Sequence, residues 1–291
     1  MASDVDGPSL ARLRDAVVSG SPTRVATALL ALFDHVDTLR DKVQWVHRNV
    51  AADLPGARDA ALERACAAVA ATIDAQPAKF DRHSYHNRQH FCEVALTAHG
   101  LAQLHGLPTH AAQFVLLAAL IHDVVHEGRP HTAFVQERAS VDSMRPLLLA
   151  AGLTAHQVDR LRVLVLATDP VGGTTFTSAC CQAHAGNAPM PSQPPVSAPE
   201  LAMLTSDGQL AQLARLLCEA DVLPSVGLDP AHALCVQERL AREWQRPLDR
   251  HDKLAFLDSV LHRGYIGPFF LPCVHATRAV LAAGLHATAE G

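Results

Sequence analysis

Residues 111–126, Ala-Ala-Gln-Phe-Val-Leu-Leu-Ala-Ala-Leu-Ile-His-Asp-Val-Val-His, decide how the rest of the chain is read. Through residue 125 they are apolar nearly all round, which predicts a helix that is central and buried. The stretch closes on His122 and Asp123, with His126 four residues beyond His122. Polar groups at the end of a buried helix are costly unless something satisfies them.

Outward from this helix, helical periodicity recurs and strand alternation is not evident. Val25, Leu29, Leu32, Phe33, Val36 and Leu39 predict an amphipathic helix from Pro22, continuing through Trp45, Val46 and Val50. Residues 60–75 resume the pattern and end before Pro77. Further helices are expected over 91–105, over 134–151 with Gly152 as its stop, and over 154–168, 209–223, 230–245, 252–261 and 269–287. Between 171 and 199 the texture changes to Gly, Thr, Ser, Pro, Gln and Ala, which reads as a long irregular loop, partly disordered and a candidate lid. The expectation is an all-α fold, with residues 1–78 as an N-terminal helical extension and 79–291 as a multi-helix bundle. The front part carries no chemical motif and reads as scaffold, cap or the surface of a homodimer.

Composition agrees with helices. Of 291 residues 49% are hydrophobic and only 4% aromatic, so the core must be built mainly from Ala, Leu and Val, with few of the aromatic residues that strands favour. A net charge of −5 without a long basic run argues against a surface that tracks long nucleic acids and leaves a small molecule as the expected partner. No apolar run approaches the roughly 20 residues that cross a bilayer, and the first residues lack the basic start and apolar stretch of a secretory signal. The expected location is the cytoplasm. Seven scattered cysteines without a C-x-x-C pair indicate neither a disulfide framework nor a thiolate zinc site, and read as small buried apolar residues.

Histidine is the anomaly, at 18 residues. Tyr85-His86-Asn87-Arg88-Gln89-His90 sets two histidines four apart, which on a helix places both rings on one face. His122 and His126 repeat the spacing beside Asp123. Asp221 stands at the close of another apolar stretch, 213–221, shortly before Pro224. A cation held by neutral imidazoles and carboxylates would satisfy all of these groups.

The order H-N-x-x-H, then H-D-x-x-H, then a late Asp resembles the HD-domain superfamily, and looks like the catalytic domain of class I cyclic nucleotide phosphodiesterases. The similarity extends to Leu166-Ala167-Thr168-Asp169, to Ala220-Asp221, and to Asp249-Arg250-His251 and Gly264-Tyr265-Ile266 with Pro272, covering residues 80–285. The resemblance implies that His90, His122, Asp123 and Asp221 hold a first metal, usually zinc, with Asp123 shared by a second, usually magnesium or manganese. It also implies that a water activated between the metals attacks a phosphoester of a nucleotide or cyclic nucleotide. His86 would be the general acid, His126 would lie close to that water, and Thr168, Asp169 and Glu137 would be outer supports. Tyr85, His262 and Tyr265 would contact the substrate.

The chain departs from that pattern where the family clamps a purine. A glutamine is replaced by His262, which cannot offer a paired amide donor and acceptor, so weak discrimination between bases is expected. His131 replaces the Asn of the His-x-Gly-x-x-Asn stretch, and Gln136-Glu137-Arg138-Ala139-Ser140 looks more like a segment of small bacterial HD hydrolases. Two other readings share the scaffold. A di-iron oxygenase would need further histidines, for which His131, His156 and His184 are candidates, with iron as the metal. A non-catalytic signalling module would keep the ligands for stability alone.

Overall fold

The computed structural model describes residues 8–129 and 132–289, and these form helices and no strand. Fifteen α-helices succeed one another: α1 Leu10–Val18, α2 Pro22–Asp37, α3 Lys42–Asp53, α4 Ala60–Asp74, α5 Pro77–Phe80, α6 Arg88–Leu104, α7 Thr109–Ile121, α8 Val135–Ala150, α9 Ala155–Ala167, α10 Gly173–His184, α11 Met203–Ser206, α12 Gly208–Val226, α13 Pro230–Glu243, α14 Arg250–His262 and α15 Leu271–Ala289. The all-α expectation therefore holds. His131, a candidate ligand of the oxygenase reading, lies outside the described residues. None of the described helices is long and apolar enough to cross a membrane.

α7 is buried without interruption from Ala111 to Ile121, and α6 from Arg88 to Ala102. The two pack on each other, and α12 lies against both. α2 and α3 cover α6 from the other side, and α4 covers α7. Val25, Leu29 and Phe33 of α2 thus share one apolar core with Phe91, Leu120 and Leu217. The apolar stripe of α2 is spent inward and is not a free surface for a second copy.

Three readings from periodicity are corrected. The helix expected from Pro22 to Val50 breaks between Asp37 and Lys42. The apolar positions keep their phase across the break, so the pattern does not register it. What decides it is distant: the Asp74 carboxylate caps the start of α3 through Val43 N (3.4 Å) and Gln44 N (2.8 Å), and Arg88 bonds the Arg40 carbonyl at 2.9 Å. Asp221 does not close its helix, because α12 runs on to Val226 with Pro224 inside it. A further helix, α1, has no counterpart among the expected elements.

The third correction concerns residues 171–199, where Gly173–His184 is helical and only residues 185–198 are irregular. Asp169 supplies the missing cap, accepting from Val171 N, Gly172 N and Gly173 N at 3.1, 2.7 and 3.4 Å. The small residues that mimic a loop composition allow close packing. A Cβ on Gly173 would stand 2.2 Å from the Leu166 carbonyl oxygen and 2.8 Å from that of Ala167, both backbone atoms that cannot yield. Gly173→Ala is accordingly expected to lower stability by about 2–3 kcal/mol, read from urea unfolding. A change within ~0.5 kcal/mol, the ordinary range of a tolerated surface substitution, would contradict this packing.

Candidate metal and active site

Asn87 opens α6 as its N-cap, its side chain accepting from Gln89 N and His90 N. His86 therefore precedes the helix, and the shared face expected for His86 and His90 does not form. Arg88 fixes this N-terminus, bonding the Asp81 carboxylate at 2.9 and 2.6 Å and Asp74 at 3.1 Å. At the other motif α7 stops at Ile121, with His122 as its C-cap, and the chain turns through residues 122–126. Val125 N donates to Ser140 Oγ at 3.4 Å and His126 N to the Asp123 carbonyl at 3.0 Å, which hold that turn. Asp221 reaches the same point from the middle of α12.

The four expected ligands converge. His90 Nε2 and His122 Nε2 are 3.2 Å apart. Asp123 Oδ2 lies 3.4 Å from His90 Nε2 and 3.2 Å from His122 Nε2, and Asp221 Oδ1 lies 3.3 and 3.6 Å from the same atoms. A cation ~2.0–2.1 Å from tetrahedral ligands sets neighbouring ligand atoms about 3.3 Å apart, and His90, His122 and Asp221 are together close enough to hold one, with Asp123 beside both imidazoles. His122 Nδ1 pairs with the Ala119 carbonyl at 2.9 Å, which orients its Nε2 toward the cluster. Both imidazoles are 1% exposed, whereas Asp123 and Asp221 are 16% and 28% exposed. The histidines thus form the back of the site and the carboxylates its more open floor.

Charge supports the same arrangement. Burial opposes an imidazolium at His90, yet the carboxylates of Asp123 and Asp221 outweigh it and raise its pKa to about 9. His122 moves up for the same reasons, and both aspartates move down against their own burial. Two carboxylates thus require two positive charges in this space, and one divalent cation supplies what two imidazolium protons otherwise would.

Beside the cluster stands a residue the motifs did not reveal. Glu243, at the end of α13 and 157 positions from His86, accepts from His86 Nδ1 at 2.5 Å, from His86 N at 3.0 Å and from Tyr85 N at 2.8 Å. Its side chain is 1% exposed. Burial raises its pKa, but the His86 bond and the two backbone donors prevail and hold it at about 2. With Nδ1 tied to Glu243, His86 keeps Nε2 for exchange with a ligand. The His126 ring stacks on His86 at 3.5 Å, and its Nδ1 accepts from Gly128 N at 3.0 Å. His86, His126 and Glu243 are close enough to hold an ion, but two of the three hydrogen bonds of Glu243 go to His86 and the third to the adjoining Tyr85 N, so we read a positioned imidazole here. Helix periodicity offered no signal for Glu243, since Ala241-Arg242-Glu243-Trp244 looks like an ordinary solvated helix end.

A cleft of about 390 Å³ opens over the cluster, within the range of small-molecule sites. Tyr85, His86, Asp123, His126, Glu137, Thr168, Asp169, Asp221 and Tyr265 all line it. Asp169 also accepts from Phe134 N at 3.1 Å, so one buried carboxylate ties α10 to the start of α8, which carries Glu137. His262 is not brought there: it lies at the end of α14 and outside the lining, because Gly264 turns the chain with φ +64 and sends Tyr265 inward. His156 is exposed on α9, and His184 pairs with the Leu204 carbonyl at 2.8 Å, so neither supplies a second metal position in the cleft.

The fold is similar to solved phosphodiesterase domains from the choanoflagellate Salpingoeca rosetta. The phosphodiesterase domain of its RhoPDE fusion protein matches with a TM-score of 0.54 and 16% identity over 91% of this chain and 92% of that one. A second structure, of the phosphodiesterase domain of its rhodopsin phosphodiesterase, matches with a TM-score of 0.54 and 17% identity over 77% and 82%. No family model matches the sequence, and no curated protein matches it. Similarity at this level concerns the fold.

Proposed function

We propose that the chain is a metal-dependent hydrolase of small-molecule phosphodiesters. The observation that carries this reading is that Asp123 and Asp221 of the cluster line one cleft with His86, which Glu243 holds from behind, and that the His86 and His90 rings are 5.6 Å apart. His90, His122, Asp123 and Asp221 would hold a first cation, in our reading zinc, and Asp123 would be shared with a second, magnesium or manganese. Such cations acidify water and neutralise charge on the phosphoryl group.

The chain's own residues do the rest. Asp123 and Asp221 would set the cation's place on the cleft floor, and with it the side on which the phosphoryl group is held. His86 lies on the cleft wall and delivers a proton from Nε2 to the departing alkoxide, while Glu243 stabilises the charged ring and fixes its tautomer. His126, stacked on that ring, keeps it from turning away. Thr168, Asp169 and Glu137 close the cleft around this geometry, and Tyr85 and Tyr265 border the substrate.

The test is to strip the purified protein with a chelator and to restore zinc, manganese and magnesium separately, assaying cyclic nucleotides, linear phosphodiesters and phosphomonoesters. Diester hydrolysis should vanish on stripping and return with metal. Metal binding without turnover would favour a signalling module, and dioxygen consumption by the iron-loaded protein would favour an oxygenase.

A further inference from the structure

We infer that the cleft takes phosphodiesters bearing a bulky apolar ester group and does not read a nucleobase by hydrogen bonds. The inference rests on the hydrolase reading above and concerns only its substrate class.

Among the described residues, no Asn, Gln or Lys lines the cleft. Tyr85 stands against the cluster, its ring 4.7 Å from that of His90; the other hydroxyl and thiol groups of the lining are turned back on the protein. Thr168 Oγ1 donates to the Val165 carbonyl at 2.8 Å, Ser225 Oγ to that of Val222 at 2.8 Å, and Cys218 Sγ to that of Ala167 at 3.1 Å. The Tyr265 hydroxyl donates to the Pro170 carbonyl at 3.0 Å and accepts from Arg263 at 3.1 Å and from Thr174. Its one proton and two lone pairs are all used. Asp169 is committed to backbone N–H groups, and Arg129 is bound twice to Glu127, at 3.0 and 2.7 Å. Glu137 is an acceptor alone, and Arg129, 73% exposed, and the Trp244 indole are donors alone. Telling one base from another takes a donor and acceptor held side by side that the wrong base leaves unsatisfied, and no amide side chain supplies them among the described residues of the lining.

What that wall does offer is apolar surface. Leu240 and Val222 line it, and at its mouth Val171, Trp244 and Phe256 are 68%, 37% and 40% exposed. A single exposed apolar side chain is ordinary, but three around one opening make a patch that a ligand can cover. A nucleobase laid there would lose more hydrogen bonds with water than the lone indole donor of Trp244 returns, whereas an aryl or alkyl group loses none.

The test uses the metal-loaded full chain and p-nitrophenyl phosphodiesters of methanol, butanol and hexanol, beside cyclic AMP and cyclic GMP. The expected kcat/KM rises about two- to fourfold per methylene until the wall is covered. The two cyclic nucleotides should differ by less than about tenfold, for want of a discriminating pair. Phe256→Ala should remove most of the chain-length dependence. A flat alkyl series, or a preference for one cyclic nucleotide above about tenfold, overturns the inference while leaving the hydrolase reading intact. No turnover of any diester under any metal overturns the hydrolase reading itself, and this inference with it.

Discussion

Asp221→Ala is expected to empty the site of metal and to bring diester hydrolysis to background, a loss of at least about 10⁴-fold, because a cation-dependent reaction forfeits most of its acceleration with the cation. Asp221 is the ligand furthest in sequence from the others, and its Oδ1 lies 3.3 and 3.6 Å from the two imidazoles. Removing it breaks the group of His90, His122 and Asp221 that is close enough to hold an ion, and takes away one of the two carboxylates that would neutralise it. The helix should survive, since α12 is held by Leu213, Leu216, Leu217, Ala220 and Leu223, which are buried. Circular dichroism should therefore be unchanged while metal content by emission spectrometry falls. A variant that keeps a full equivalent of metal would remove Asp221 from the ligand set.

His86→Ala separates chemistry from binding. Metal content should stay nearly intact and turnover should fall by roughly 10²–10⁴-fold, the usual worth of one general acid. His86 meets the cluster only through ring contacts, 5.6 Å from His90, and spends its Nδ1 on Glu243. A diester with a good leaving group such as p-nitrophenolate needs less protonation, so it should lose less than a simple alkyl ester. Equal losses for both leaving groups, or loss of the metal, would assign His86 another role.

The convergence of the candidate ligands was partly legible in the sequence because they come in short motifs. His122 and Asp123 stand at the close of an apolar stretch, and a buried polar pair there demands a partner whatever the fold. His90 and Asp221 could be joined to them only through the resemblance, which also brought Tyr85, Thr168, Asp169 and Tyr265 to the cleft that they line. Glu243 was not legible: it has no motif, and its meaning comes from α13 ending where residues 85 and 86 present two backbone N–H groups. His262 is absent from the lining for the opposite reason, since spacing from Tyr265 fixed its place in the chain but not the turn at Gly264 that separates the two. The fold shows the same division. Helix existence came from periodicity, while the break between α2 and α3 and the start of α10 depended on the carboxylates of Asp74 and Asp169, which act across the fold or against the local composition.

X-ray absorption at the metal edge of the zinc-loaded protein tests the central claim most directly. The account predicts two imidazole nitrogens and carboxylate or water oxygens at about 2.0–2.2 Å, with no sulfur. Sulfur scatterers at about 2.3 Å, drawn from the chain's seven free cysteines, or a first shell without imidazole, would contradict it.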